Sequence, residues 1–261
     1  MNAMETLDIL YRDEHLIAVH KPAGLLVHRS PIDRHETRFA LQIVRNQIGQ
    51  HVYPAHRLDK GTSGVLLFAL DRERARDLGA QFESQAITKT YLAVVRGYPA
   101  EEGLIEHALT RQYDDYEQPG NSEGLAQEAS TRYRRLGTLE LPLCVDRYPT
   151  SRYALLELEP LTGRRHQLRR HLKHIAHPII GDSTYGKGKH NRMFAEHFDC
   201  RRMLLACVEM RLWHPVEQRE ITLTAPIDGD FLRLLERTGW AKALPSRWLA
   251  APPASLAAPP A

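Results

Sequence analysis

Alternating apolar and polar positions near the start of the chain predict a β-hairpin. Leu7 to Tyr11 gives the first strand and Leu16 to Val19 the second, with a polar turn between them. A continuous apolar run predicts a buried strand at 65–70. Two further apolar segments predict strands at 91–95 and 152–160.

Apolar residues at helical spacing predict two helices in the first third of the chain. One covers 37–48 and is ended by Gly49, and the other is capped by Asp71 and carries Leu78 on its apolar side. Residues 111–130 lack a usable period, which predicts a loop or a small insertion. Because strands and helices do not alternate strictly, the pattern favours an α+β fold with a mixed or antiparallel sheet.

The composition is that of an ordinary soluble globular protein, with 43% hydrophobic and 26% charged residues in 261. We predict one folded domain over 1–242 and a disordered tail, rich in Ala and Pro, over 243–261. No apolar run is long enough to cross a membrane, and the first residues do not resemble a secretory signal.

Three cysteines without a C-x-x-C pair are typical of free thiols in a reducing compartment: Cys144, Cys200 and Cys207. The chain is therefore expected to be cytoplasmic. The composition excludes a disordered chain, a collagen and a coiled-coil rod.

The formal net charge is only +3, but the basic residues are concentrated in one segment. Residues 164–174 hold five Arg or Lys and three His without an acidic residue. Leu168, Leu172 and Ile175 recur there at helical spacing, which predicts a basic helix with an apolar anchor. A patch of this kind indicates a polyanionic partner, and a solvated helix face is the alternative.

The segment HRLDKGTSG at 56–64 carries the main candidate for catalysis. It precedes a buried strand, and Gly61 and Gly64 permit a sharp turn. The turn would hold Asp59 at the strand edge, where a carboxylate can act as a nucleophile or a general base. The residues alone also allow an aspartate that merely caps the turn.

Two further motifs, a near-match to a P-loop and a group of four histidines, do not indicate a nucleotide site or a metal site. Residues 181–188 nearly match a phosphate-binding P-loop, but Gly188 stands where the magnesium-binding hydroxyl belongs. Four histidines around the basic helix have spacings that spread them over its surface: His166, His171, His174 and His177. We therefore interpret them as polar residues facing solvent or RNA, and we expect no metal ion.

Taken together and in order, the motifs resemble those of the RluA-type pseudouridine synthases. The set comprises KPAGLLVH at 21–28, HRLDKGTSG at 56–64, KTY at 89–91, LTGRRHQLRRH at 161–171 and HPIIGD at 177–182. The resemblance runs from about Leu7 to Pro226. Segments at 27–37, 45–52, 147–153 and 195–198 are most similar to a branch of the family that modifies tRNA.

The resemblance implies a mixed, largely antiparallel sheet flanked by helices and crossed by an active-site cleft. It also implies isomerisation of uridine to pseudouridine in RNA, without a cofactor or metal. Asp59 matches the catalytic aspartate, and Arg57 matches the arginine that enters the space left by the flipped nucleotide. Tyr91 matches the aromatic residue that packs on the base, and Arg169 the arginine paired with the aspartate.

The resemblance further places Leu204 or Leu205 where an apolar residue closes the uracil pocket. The pair Ala206-Cys207 follows where family members commonly have His-Ala. Three paths for Asp59 stay open: addition to C1′ of the ribose, addition to C6 of uracil, or proton abstraction to give a glycal.

The expected partner is tRNA, with uridine 65 of the T-stem as the target and no obligatory protein partner, so that the chain acts as a monomer. The residues expected to contact phosphates are Arg164, Arg165, Arg170 and Lys173. A uridine of ribosomal RNA is the alternative target, because the core motifs do not encode the substrate. Two further hypotheses are a non-catalytic RNA-binding protein, which the intact Asp59 motif disfavours, and a metal-dependent hydrolase, which the scattered histidines disfavour.

Overall fold

The computed structural model describes residues 5–29, 35–112 and 124–249. The strands are Ile9–Arg12 (β1), Leu16–Lys21 (β2), Tyr53–Pro54 (β3), Ser63–Ala69 (β4), Thr88–Arg96 (β5), Glu102–Glu106 (β6), Leu109–Thr110 (β7), Ala126–Gln127 (β8), Ser130–Leu141 (β9), Ser151–Pro160 (β10), Leu205–Trp213 (β11) and Glu220–Thr224 (β12). The α-helices are Ala40–Ile48 (α1), Arg72–Glu83 (α2), Gln167–His174 (α3), Gly188–His197 (α4) and Gly229–Arg237 (α5). Within these ranges, no helix has the length and apolar character needed to span a membrane.

Ten of the strands form one mixed sheet in the order β1-β2-β4-β11-β5-β10-β9-β6, with β12 paired to β11 and β3 paired to β4. The β4–β11 pair is parallel, and the other pairs in the sheet are antiparallel. Strands β7 and β8 pair separately. The predicted α+β fold with a mixed, mostly antiparallel sheet is confirmed.

The two faces of the sheet bury separate sets of side chains. In β10, Ala154, Leu156 and Leu158 join one cluster, together with Leu78 of α2 and Leu168 of α3. The alternate residues of β10 face a second cluster with α4 and α5, and α1 covers the same face over β2 and β4. Helices therefore flank both faces, and α3 reaches the site from the face that α2 shares.

Gly64 brings β4 and β11 into close contact at the centre of the sheet. Its φ is +112°, and a Cβ at this position would lie 2.0 Å from the carbonyl oxygen of Cys207. The residue pairs directly with Cys207 across the parallel ladder. The sequence indicated a turn glycine, and the structure shows a glycine that lets two backbones approach each other.

Most of the predicted elements are present with shifted ends. The Asp71 carboxylate accepts a hydrogen bond of 2.8 Å from Arg74 N, which caps α2 as expected. Gly49 follows α1 in the left-handed region, at φ 67°. The loop or small insertion predicted at 111–130 contains β8 and the first residue of β9. Residues 113–123 fall outside the described part.

The predicted disordered tail begins too early. Residues 246–248 form a 3₁₀ turn, and the Trp248 side chain is 3% exposed. Its indole Nε1 donates to Glu209 Oε2 at 3.1 Å, and its carbonyl accepts from Ile227 N at 2.7 Å. The large apolar ring therefore extends the folded body to residue 249, against the expectation from the Ala- and Pro-rich composition. The rest of the tail, 250–261, lies outside the described residues, and the division into a catalytic domain and a tail stays a prediction.

Candidate active site

Asp59 lies in the loop that connects β3 to β4. Its backbone carbonyl accepts a hydrogen bond of 3.0 Å from Thr62 N, and the neighbouring Leu58 is buried in the core. The Asp59 side chain is 20% exposed. The loop therefore fixes the backbone of Asp59 while its carboxylate stays accessible from a cleft.

A buried lysine ties the KPAG segment to this loop. Lys21 Nζ donates to the carbonyl oxygens of Leu25 at 2.7 Å and Pro22 at 2.9 Å. Gly24 N donates to Lys60 O at 2.7 Å, so the segment also contacts the residue after Asp59. Burial lowers the pKa of Lys21 to about 7. Its hydrogen bonds to backbone carbonyls hold the KPAG segment in place.

Arg169 supplies the predicted contact to Asp59. Its Nη1 donates to Asp59 Oδ2 at 3.0 Å. The same guanidinium also donates to Asp182, through Nε to Oδ2 at 2.7 Å and through Nη2 to Oδ1 at 2.9 Å. Arg169 is therefore shared by two carboxylates, and the pair with Asp182 has the two-point geometry of a strong ion pair.

Asp182 is the functional residue that the sequence reasoning missed. It ends the HPIIGD motif and is 1% exposed. Burial alone would raise the pKa of its carboxyl, but hydrogen bonds from Arg169 and from the backbone N–H groups of Tyr185 and Thr184 outweigh burial and lower it. A signal was available, since a guanidinium has more donors than one carboxylate can accept.

His166 approaches the other oxygen of Asp59. Its Nε2 lies 3.7 Å from Asp59 Oδ1, and its Nδ1 lies 3.1 Å from the Tyr185 hydroxyl. The residue has φ 54° and forms the N-cap of α3. Burial lowers the pKa of His166, the Asp59 charge opposes this and the Arg169 charge adds to it, so the net direction favours the neutral ring.

Gln167 holds the turn that presents His166 and Arg169. Its buried side-chain oxygen accepts from Thr162 Oγ1 at 2.7 Å and from Arg164 N at 3.0 Å. Its amide nitrogen donates to the carbonyl oxygen of Ser130 at 2.9 Å. The TGRRHQ sequence therefore forms a turn locked to β9 by one amide side chain.

A cavity of about 390 Å³ opens beside Asp59 and carries the predicted base-binding residues. Tyr91 and Leu205 line it, and Tyr91 is 9% exposed. Leu204 does not line it, because successive residues of an extended chain point to opposite faces and Leu204 joins the cluster on the other face. Of the two leucines offered by the sequence, only Leu205 is placed to contact a base.

A larger cavity of about 660 Å³ shares the wall formed by Arg57, Asp59, His166 and Arg169. Its further basic lining residues are His28, Lys60, Arg165, Arg201 and Arg202. Asp59 is the only carboxylate among the described residues that line it. This cavity is therefore positively charged apart from the candidate catalytic group.

The basic segment is only partly helical. Arg164 and Arg165 precede α3, which begins at Gln167, because the Gln167 turn occupies these positions. Arg164 Nε donates to Glu128 O at 3.1 Å, and Arg170 Nη1 donates to Thr110 O at 3.0 Å. Lys173 is exposed, with its Nζ 5.6 Å from the centre of the Tyr185 ring.

The four histidines do not converge on one point. His171 is fully buried, against the prediction, because its Nε2 donates to His107 O at 3.0 Å and its Nδ1 contacts Thr131 Oγ1 at 2.9 Å. His174 stacks on His107 with ring centres 3.6 Å apart, and His177 Nδ1 lies 2.8 Å from Arg96 O.

One group in the described residues has the spacing of a metal site: Asp13, His214 and Glu217. The Asp13 oxygens are already engaged by the Tyr11 hydroxyl, by His214 and by two backbone N–H groups. We interpret this group as a hydrogen-bonded link between the β1–β2 turn and the end of β11.

Comparison with known proteins identifies the family of this chain. The family model described as RNA pseudouridylate synthase matches residues 15–174. This chain belongs to that family. The chain is accordingly an isomerase that acts on RNA, as the resemblance implied.

Two relatives that match most of the chain are named tRNA pseudouridine synthase C. The protein of Vibrio vulnificus (strain CMCP6) is 49% identical over 239 residues, which cover 91% of this chain and 98% of that protein. The protein of Yersinia pestis is 50% identical over 240 residues, covering 92% and 93%.

Solved structures show the same fold. Human RNA Pseudouridylate Synthase Domain Containing 1 superposes with a TM-score of 0.65 at 25% identity, covering 87% of this chain and 86% of that one. Human RNA Pseudouridylate Synthase Domain Containing 4 gives a TM-score of 0.66 at 24% identity, covering 89% and 93%.

Proposed function

We propose that this pseudouridylate synthase isomerises one uridine of tRNA, at position 65 in the T-stem. The observation that supports catalysis is the Asp59 carboxylate, held by Arg169 at the junction of two cavities. The support for tRNA is the close similarity to relatives named tRNA pseudouridine synthase C. We also propose that it works in the cytoplasm and as a monomer.

Base flipping gives each site residue its role. A uridine stacked in an RNA helix is out of reach of Asp59, so it must be extruded at a cost of a few kcal/mol. The exposed Arg57 lies at the wall between the cavities and is placed to fill the vacated space. The extruded uracil would then lie against Tyr91 and Leu205 in the cavity of about 390 Å³.

Asp59 would begin the reaction at the sugar or the base. All three open paths use the carboxylate of Asp59, and Arg169 Nη1 donates a hydrogen bond to its Oδ2. Because Arg169 Nη1 donates to one carboxylate oxygen of Asp59 at 3.0 Å, the carboxylate is oriented before RNA binds.

The larger cavity provides the path for the RNA strand on either side of the target. Its arginines and lysine match a phosphodiester backbone, and it joins the base cavity directly at Asp59. Arg164, Arg165, Arg170 and Lys173 extend the positive surface along the loop before α3 and α3 itself. A ribosomal RNA uridine is the second candidate target, since this surface reads backbone charge and not sequence.

The direct test compares Asp59→Asn with wild type on unmodified tRNA. The amide keeps the size of the carboxylate but loses its charge, so turnover should vanish while RNA affinity stays within a few-fold. Asp77→Asn, an exposed aspartate on α2, is the matched control and should retain full activity. Wild-type turnover by Asp59→Asn would contradict the assignment of Asp59.

A further inference from the structure

Lys89 places a positive charge inside the base cavity. It lies two residues before Tyr91 on β5, so both side chains point to the same face of the sheet. It lines the cavity that also holds Asp59, Tyr91 and Leu205. Although Lys89 belongs to the KTY motif, base flipping and the chemistry of Asp59 leave it without a role.

Within the described part of the chain, the Lys89 ammonium has no carboxylate partner. Among the residues described, no Asp or Glu oxygen lies within 4.0 Å of its Nζ, which instead faces the Phe82 ring, 5.7 Å from the ring centre. Its side chain is half-buried. A cation that loses water without gaining a counter-charge is costly, so its presence indicates a ligand with negative charge or strong acceptors.

The groups around Lys89 are themselves uncharged. Burial raises the pKa of the Cys207 thiol to about 12 and also raises the pKa of the Tyr91 hydroxyl. Burial and the Lys89 charge lower the pKa of His56 to about 4. Next to Tyr91 the charged group of the described cavity wall is therefore Lys89. The other charged lining residues are Arg57, Asp59, Arg164, Arg165 and Arg169.

We propose that the Lys89 ammonium donates a hydrogen bond to a carbonyl oxygen of the flipped uracil and stabilises the negative charge that develops on the base. The inference rests on the proposed function. It deepens that function by assigning a residue that stabilises negative charge on the uracil, whereas Asp59 begins the reaction at the sugar or the base.

The charge arises in the isomerisation itself. When the C1′–N1 bond breaks, its electron pair stays with uracil N1 and is shared with O2 and O4. C1′ then bonds to C5, the C5 proton leaves and N1 takes up a proton, so that atoms and electrons balance without an oxidant, reductant or co-reactant. If Asp59 adds to C6 instead, the displaced electrons again collect on O4, and Lys89 serves either path while keeping its own proton.

A positioned donor at a developing oxyanion typically contributes about 10²–10³ in rate. We therefore expect Lys89→Met to slow single-turnover pseudouridine formation by about 10²-fold, with RNA affinity and melting temperature close to wild type. Lys89→Arg should recover part of the rate, because it restores the charge. Lys189→Met, an exposed lysine on α4, is the matched control and should behave as wild type.

RNA with a thio-substituted target uridine tests the contact directly, because sulfur is a weak acceptor. Wild type should react more slowly with one of the two RNAs, 2-thiouridine or 4-thiouridine, than with unsubstituted RNA. Lys89→Met should react equally fast with that thio-substituted RNA and with unsubstituted RNA. Wild-type rates for Lys89→Met, or equal thio effects in both proteins, would overturn the proposal. A wild-type enzyme with normal rates on both thio-substituted RNAs would also overturn it. This measurement does not depend on the folding of any variant. If wild type forms no pseudouridine in any tRNA, the proposed function itself fails instead.

Discussion

Arg169 and Asp182 form a buried two-point ion pair, with N–O distances of 2.7 Å and 2.9 Å. Their side chains are 9% and 1% exposed. Because two nitrogens of the guanidinium are held by Asp182, the third is directed at Asp59 at 3.0 Å. The position of the catalytic candidate therefore depends on a carboxylate that does not touch the substrate cavities.

Asp182→Asn should destabilise the fold and reduce activity together. Loss of the charge leaves a buried guanidinium with Asp59 as its remaining partner, and breaking a buried pair costs about 3–5 kcal/mol. Urea unfolding measures this cost. Glu157→Gln breaks the exposed pair with Arg134 and should cost less than about 1 kcal/mol. Similar losses for the two variants would contradict the assigned role of Asp182.

The sequence predicted one half of this arrangement. The family resemblance implied that Arg169 pairs with Asp59, and a buried guanidinium needs an anion of some kind. The positions of Asp182 and His166 could not be predicted in the same way. Asp182 contacts Arg169 and Tyr185 contacts His166 because the segment after α3 folds back over the first turn of α3. Leu204 and Leu205 were indistinguishable until the start of β11 fixed which of them faces the cavity.

Gly64→Ala should prevent normal folding. A methyl group would lie 2.0 Å from Cys207 O, at a φ of +112° that alanine rarely adopts. We expect expression in inclusion bodies, or a stability loss larger than that of any ordinary surface change. Gly79→Ala is the control, since α2 leaves open space at that position, and it should gain up to about 1 kcal/mol. A Gly64→Ala protein as stable as wild type would show that the two strands can separate without cost.

Helices and strands could be predicted from the sequence where local features, such as a cap residue or a regular apolar spacing, define them. Local capping and apolar spacing identified α1, α2, β2 and β4 correctly. Strand β9 was missed because Arg132, Arg134 and Arg135 interrupt its apolar pattern. Pairing with β6 and β10 on its two sides decides its conformation. Trp248 was missed because a single ring that fills a distant core position leaves no periodic pattern.

Stability should fall between about pH 6.5 and pH 4 because of His56. Burial and the Lys89 charge lower the pKa of His56 from 6.5 to about 4. Between these two pH values, His56 is protonated in the unfolded chain and neutral in the folded chain. The lost stability reaches about 3–4 kcal/mol at most, at about 1.4 kcal/mol for each pH unit. His56 Nε2 accepts from Leu67 N at 3.1 Å, and His56→Gln keeps an acceptor there.

The measurement is the free energy of unfolding against pH for wild type, His56→Gln and the exposed His51→Gln. We expect a shallower slope for His56→Gln alone. Identical slopes for all three proteins would assign the acid sensitivity to other groups.

RNA binding should weaken with salt in a way that depends on Arg170. Each neutralised phosphate contact changes the log–log salt slope by about one unit. Arg170→Gln should therefore reduce the slope by about one, and Arg134→Gln on β9 should leave it unchanged. An unaltered slope for Arg170→Gln would remove that residue from the RNA-binding surface.

Pseudouridine mapping of total RNA tests both the substrate and the role of Asp59. Cells with the intact gene, cells lacking it, and cells complemented with wild type or Asp59→Asn would be compared at every pseudouridine of tRNA and ribosomal RNA. We expect that one T-stem pseudouridine of tRNA disappears without the gene and returns only with the wild-type protein. Unchanged tRNA together with a lost ribosomal site would contradict the tRNA assignment, and full restoration by Asp59→Asn would contradict the catalytic one.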